Sequence, residues 1–275
     1  MKPSGDVDLL VKARSALLDA LEALAQHREA VVVVGAQAIY LHTGSVDVAL
    51  AEATKDSDLA INPTNLSDDP LVEEAMEAAG FYPDPNSRQP GAWMNPAGVP
   101  VDLMVPEALA GSGGKDARAA RIPPHDKRAT RRARGLEAAV VDYELMTIDS
   151  LDPLDGRSFD ANVAGPAALI VAKLHKLGER ETFEDRLIDK DAHDLYRIFR
   201  AIPTEVLVPR FQLLRANDIS REATEEAFVY LDELFGDQTS IGALMAGRAE
   251  EGIGNPAEVT ASVVLLARDL RDSLT

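Results

Sequence analysis

Asp56 and Asp58 stand two residues apart at the head of the run Ser57-Asp58-Leu59-Ala60-Ile61. Side chains along a β-strand alternate between faces, so Asp56, Asp58 and Ala60 share one side while Ser57, Leu59 and Ile61 take the other, apolar one. A second strand pattern, Val99-Pro100-Val101-Asp102-Leu103-Met104-Val105, sets the single acid Asp102 opposite an apolar face of Val101, Leu103 and Val105. Three carboxylates on neighbouring strands would make an all-oxygen site. Such a site suits Mg²⁺, which keeps several waters and shares its shell with substrate phosphates. The chemistry that needs it is phosphoryl or nucleotidyl transfer, with metal ions flanking the attacking and leaving oxygens.

These acids require elements that hold them, and the chain supplies a consistent order. Ala30-Val31-Val32-Val33-Val34 is a β-branched strand that runs into Gly35 and a short helix through Leu41. A glycine where a strand feeds a helix allows backbone N–H groups to approach a phosphate, and the positive helix end favours the anion. Further on, a helix over Ala167–Gly178 carries Lys173 and Lys176 three residues apart, projecting together. Lys190, Asp191 and Asp194 then fall within one helical turn. Their carboxylates are positioned either to orient Lys173 or to bind a base, sugar or acceptor hydroxyl. The plainer reading is an ordinary exposed pair between Lys190 and Asp194, of about 0.3–0.5 kcal/mol.

This order resembles the nucleotidyltransferase superfamily of DNA polymerase beta: strand, glycine turn, short helix, acid-x-acid strand, then a third acid on a later strand. Within it the chain is most similar to toxin nucleotidyltransferases of the AbiEii type, through Lys173 in Ala172-Lys173-Leu174-His175-Lys176 and through Lys190-Asp191-Ala192-His193-Asp194-Leu195. The resemblance runs from about Val31 to about Phe199. It implies a Mg²⁺-dependent enzyme that moves an NMP from an NTP to an acceptor hydroxyl. It implies two metal ions on Asp56, Asp58 and Asp102, with Asp102 helping to deprotonate the acceptor. Lys173 would neutralise the triphosphate. The nucleotide would be held by Gly35, Ala36, Thr54, Lys55, Lys173, Lys190, Asp191 and Asp194. It also implies tRNA as acceptor, growth inhibition, and a separately encoded antitoxin as partner. The chain departs from the family at Ala36, where many relatives carry Gly or Ser, and at Glu52, where an arginine is common. Two alternatives follow: transfer to a small molecule such as an aminoglycoside, or a non-catalytic binding module that keeps the fold.

The formal net charge of −18 argues against a protein that coats nucleic acid by general electrostatics. One segment runs the other way. Lys115–Arg134 carries eight basic residues against two acidic ones, a local +6 that leaves −24 for the rest. It follows Gly111-Ser112-Gly113-Gly114 and reads as a flexible loop, able to cover a triphosphate or dock an acceptor tRNA, or else as a solvated connector. The absence of cysteine excludes thiol catalysis and Cys-based zinc sites, and the five His lack paired ligand spacing. Gly113-Gly114-Lys115 is not a phosphate loop, because Leu109 stands where its first glycine belongs and Asp116 where Ser or Thr belongs. No apolar run approaches the length of a membrane span and the N-terminus has no leader pattern, so a cytoplasmic protein is expected.

Periodicity gives an α+β chain with two expected domains, a mixed sheet with flanking helices over 1–164 and a helical bundle over 165–275, and the resemblance implies that the first is the nucleotidyltransferase-like catalytic domain. Leu9, Leu10, Ala13, Leu17, Leu21 and Leu24 predict an opening helix. A helix over Asp69–Ala79 should end at Gly80, with strands near Trp93, Val101, Ala138–Thr147 and Arg157–Val163. Helices are predicted over Ala167–Gly178, Ile188–Ala201, Thr204–Leu214, Arg221–Phe235 and Pro256–Leu274.

Overall fold

The computed structural model describes residues 4–44, 56–113, 117–179 and 189–274. Helix α1, Ser4–Ala23, buries Ala13, Leu17 and Leu21 of the expected stripe together with Ala16, Leu18 and Ala20, while Leu9 and Leu10 are half-buried and Leu24 is buried just past its end. Strand β1, Val31–Val34, is buried at all four positions and passes directly into α2, Gly35–Thr43. Gly35 sits at φ 67°, where a side chain is disfavoured. Strand β2 is Ser57–Ile61. Helix α3 is Val72–Ala78, shorter than predicted because Pro70 and the turn before it delay its start, while Gly80 at φ 84° ends it.

Strands β3, Tyr82–Pro83, and β4, Ala92–Met94, lead to β5, Pro100–Pro106. Then come β6, Arg131–Ala133, β7, Tyr143–Asp149, and β8, Ser158–Ala164. The sheet order is β3-β4-β5-β2-β1-β8-β7, with β6 alongside β5. It is mixed: β2 with β5 and β1 with β8 are parallel, whereas β1 with β2 and β7 with β8 are antiparallel. Helix α1 packs against β2, β5 and β8. From its backbone Ala13 accepts the Ser57 hydroxyl at 2.8 Å, so the Ser57-Leu59-Ile61 side of β2 faces α1 and the aspartate side faces away.

The strand predicted over Ala138–Thr147 begins only at Tyr143. Residues 138–142 turn instead, which frees the Asp142 carboxylate to accept the Ala168 N–H at 3.1 Å at the start of α4, Pro166–Gly178. Gly165, just before that helix, has no side chain to cap it, and a Cβ there would collide with Asp142. Asp142 thus serves as a cap delivered from another element. Helices α5, Asp189–Ala201, α6, Thr204–Ala216, and α7, Arg221–Phe235, match the periodicity closely. Helix α8, Ile241–Arg248, was not anticipated, and α9, Pro256–Ser273, is opened by Pro256 and the Asn255 side chain.

The basic segment does not stay loose where it is described. Within 117–134, Ala120, Ile122, Ala129 and Thr130 are buried, and the Trp93 indole donates to the Ala129 carbonyl at 3.0 Å. Three of its arginines are engaged within the protein. Arg131 binds Asp102, Arg132 donates to the carbonyls of Ala110, Gly111 and Ala119, and Arg134 pairs with Glu222 and Glu226 of α7. Arg118, Arg121, Lys127 and Arg128 remain exposed, and Lys115 lies outside the described residues. Among the described residues no helix is long and apolar enough to cross a membrane.

Candidate active site

Asp58 and Asp102 face each other directly across the parallel β2–β5 pair, in register. The register has a physical origin. Both strands bury the odd-numbered partners Leu59 and Leu103 completely, and a slip of one residue would turn the apolar set away from α1. Asp56 lies one residue ahead of β2 and is exposed, while Asp58 is partly buried. On its other edge Asp58 pairs with Val34, the last residue before the Gly35 turn. A Cβ on Gly35 would collide with the Asp58 carboxylate, so this glycine is required both by its left-handed backbone and by the acid beside it. Ala36, next in α2, is buried.

The three acids act on one another. Burial pushes the Asp58 carboxyl up to about 7, with further upward contributions from the charges of Asp56 and Asp102. Lys176 and Arg131 oppose that rise. Arg131 Nη2 donates to Asp102 Oδ2 at 2.7 Å, with both side chains about one-quarter exposed. Among the described residues, no group of three or more His, Asp or Glu is arranged to hold a metal ion. What the cluster offers is the right donor chemistry: carboxylate oxygens whose mutual repulsion a bound cation would relieve.

Behind the acids lies a second set of charges, positioned by α4 and α5. Lys173 Nζ bonds Asp191 Oδ1 at 2.6 Å and Asp194 Oδ2 at 2.7 Å, all three side chains being nearly inaccessible. Despite its burial, the two carboxylates hold the Lys173 ammonium well above its usual range. The cost of burying Asp191 is outweighed by Lys173 and Lys176, and its carboxyl falls well below the usual range. Asp194 is therefore committed to Lys173 and not to an exposed pair with Lys190. Burial pushes the Lys190 ammonium down, opposed by Asp194, Asp56 and Asp191. Helix α2 closes the group: the Tyr40 ring lies under the Arg197 guanidinium at 5.6 Å, and burial lifts the Tyr40 phenol to about 12.

The structure thus brings Gly35, Asp58 and Asp102 together, and separately joins Lys173, Asp191 and Asp194. Glu52, Thr54 and Lys55 lie outside the described residues. Two cations near the acids were not among the candidate site residues. Arg131 is hidden in a basic run, and only its pairing beside β5 marks it out. Lys176 had a visible signal in its spacing from Lys173. It bonds Asp191 Oδ1 at 3.0 Å while its side chain stays 41% exposed, so it, unlike Lys173, is within reach of solvent.

Comparison with known protein families matches residues 12–211 to a family described as Nucleotidyltransferase. No curated protein and no solved structure matches significantly.

Proposed function

Because the chain belongs to this nucleotidyltransferase family, it is an enzyme that transfers a nucleoside monophosphate, and we propose that it does so from an NTP to a hydroxyl of tRNA with Mg²⁺. The observation that carries the reading is the in-register pair Asp58–Asp102, with Asp56 close enough to raise the Asp58 carboxyl. In this reading Asp56, Asp58 and Asp102 would hold two Mg²⁺ ions, which would supply charge compensation for the attacking and leaving oxygens. Asp102 takes the proton of the acceptor hydroxyl. Backbone N–H groups at the Gly35–Ala36 start of α2 face the far end of the triphosphate. Thr54, Lys55 and Lys190 complete the nucleotide pocket in the same proposal.

The assignment to AbiEii-type toxins, with growth inhibition and an antitoxin partner, is supported by the joining of their two motifs: Lys173 is clamped by Asp191 and Asp194. We place the functional division at 164/165, the sheet carrying the acids and the helices carrying this clamp. The exposed Arg118, Arg121, Lys127 and Arg128 are the tRNA contacts in this reading, local positive charge on an acidic protein. The strongly negative net charge favours a second acceptor, a small cationic molecule such as an aminoglycoside. The test is incubation with each α-labelled NTP, Mg²⁺ and total tRNA, beside an Asp56→Ala/Asp58→Ala control. Label on RNA that disappears in the control is the expected result. Label only on a small-molecule acceptor would move the assignment to the second reading, and label that persists in the control would overturn the site.

A further inference from the structure

Arg131 stands at the acid cluster with most of its hydrogen-bonding capacity unused. A guanidinium carries five N–H donors in a rigid fork suited to phosphate. Here one of them, on Nη2, meets Asp102, and the Nε donor is buried without any partner. A buried donor with no acceptor is disfavoured, so the protein alone leaves this guanidinium under-satisfied. Lys176 is the second cation whose charge reaches Asp58. Its ammonium uses one of three donors, on Asp191, and its side chain is 41% exposed. Lys173, by contrast, is sealed between two carboxylates and has little charge left to offer a ligand.

We propose that Arg131 and Lys176 are the residues that take the phosphate oxygens of the incoming nucleoside triphosphate. Asp102 holds the Arg131 fork at the acid cluster, and Asp191 holds Lys176, so that both cations are prepositioned before the nucleotide enters. Lys173 is then a positioning residue, acting on the nucleotide only through the carboxylate that it shares with Lys176. The inference rests on the nucleotidyltransferase reading above and adds which side chains select a triphosphate over a monophosphate. Among the described residues of the basic run, Arg131 is the member that bonds Asp102.

The experiment measures equilibrium binding of the four NTPs and the matching NMPs by calorimetry, with Mg²⁺ and again in EDTA, for the wild type, Arg131→Gln, Arg131→Lys and Lys176→Gln. The wild type is expected to prefer the triphosphate in both conditions. Arg131→Gln should raise the Kd for NTP by roughly tenfold or more, the scale of one lost charge-assisted hydrogen bond, and leave the Kd for NMP nearly unchanged. Arg131→Lys should recover part of the loss, since a point charge replaces a fork. In turnover, KM for NTP should rise more than kcat falls. A residue that merely held Asp102 in place would lower kcat and leave the NTP-to-NMP ratio alone. Wild-type selectivity in folded Arg131→Gln overturns the proposal. If that variant does not fold, Lys176→Gln decides, and unchanged selectivity there overturns the shared cation site. A wild type that transfers label yet shows no preference for NTP also sinks this inference alone. A wild type that neither binds NTP nor transfers label takes down the nucleotidyl-transfer reading with it.

Discussion

Replacing Asp58 with Asn should make the protein more stable above neutral pH and inactive. In the folded chain the Asp58 carboxyl is lifted from 3.8 to about 7 by burial and by the charges of Asp56 and Asp102. An acid whose folded value is raised binds its proton more tightly when folded, so it favours folding at low pH. That contribution is lost as pH rises from the ordinary value through about 7. At about 1.36 kcal/mol per tenfold change, the penalty of ionised Asp58 reaches a ceiling of roughly 4 kcal/mol near pH 8, against roughly 1.5 kcal/mol at pH 5. Asp58 is only partly buried, so solvent reduces both figures, and an advantage for Asp58→Asn that grows by roughly 1–2 kcal/mol between pH 5 and pH 8 is the working expectation. For a chain of this size that is about 2–8 °C in Tm. The assay is thermal unfolding of both proteins across pH 5–8 in EDTA, where added cations cannot mask the repulsion. A second series in Mg²⁺ should narrow the gap at pH 8, because a bound cation removes the penalty from the wild type alone. A variant less stable than the wild type at pH 8, or a gap that does not vary with pH, would refute the reasoning that the three acids repel one another in the folded state.

Other substitutions probe the supports of the site. Gly35→Ala combines a disfavoured backbone with a collision against Asp58, and should lose roughly 1–3 kcal/mol together with most activity, read by urea unfolding and by nucleotide transfer. Lys173→Met removes the buried cation shared by Asp191 and Asp194, with Asp191 keeping Lys176 at 3.0 Å, and should destabilise by about 3–5 kcal/mol in a chemical denaturation experiment. Restoring part of that loss by adding Asp194→Asn would identify the buried carboxylate charge as its cause. Asp142→Ala removes both the cap on α4 and the Arg210 pair at 2.7 Å, and should cost about 1–3 kcal/mol in thermal or denaturant unfolding. If the variant matches the wild type, the borrowed cap contributes nothing.

Much of the site was legible in the sequence because its chemistry is periodic. The acid-x-acid alternation put Asp58 on the side of β2 away from Leu59 and Ile61, and the apolar face of Val101, Leu103 and Val105 set Asp102 on the opposite side of its own strand. The β-branched run followed by Gly35 identified the strand-to-helix turn, and 3.6-residue spacing located most of the C-terminal helices. Local spacing also brought Lys173 and Lys176 onto neighbouring positions. These are properties that each segment carries by itself, through strand or helix geometry alone.

Tertiary structure decided what those segments meet. That β2 and β5 run parallel with Asp58 opposite Asp102 depends on two chain segments separated by α3, β3 and β4; each strand's apolar alternation forbids a one-residue slip but does not choose the partner strand or its direction. The short strand Arg131–Ala133 has no apolar alternation, so a basic run read as loose became a strand edge that delivers a cation to the third acid. Residues 138–142 are predicted as part of a strand, yet they turn, and Asp142 caps the bare start of α4 from there. Lys173 and Lys176 look alike along the helix, and only packing against α5 sealed one inside a carboxylate pair and left the other at the surface. The sequence alone determined which side chains share a face of each element. Their charge state and availability to a ligand were set by the long-range contacts that exclude water from some of them and not from others.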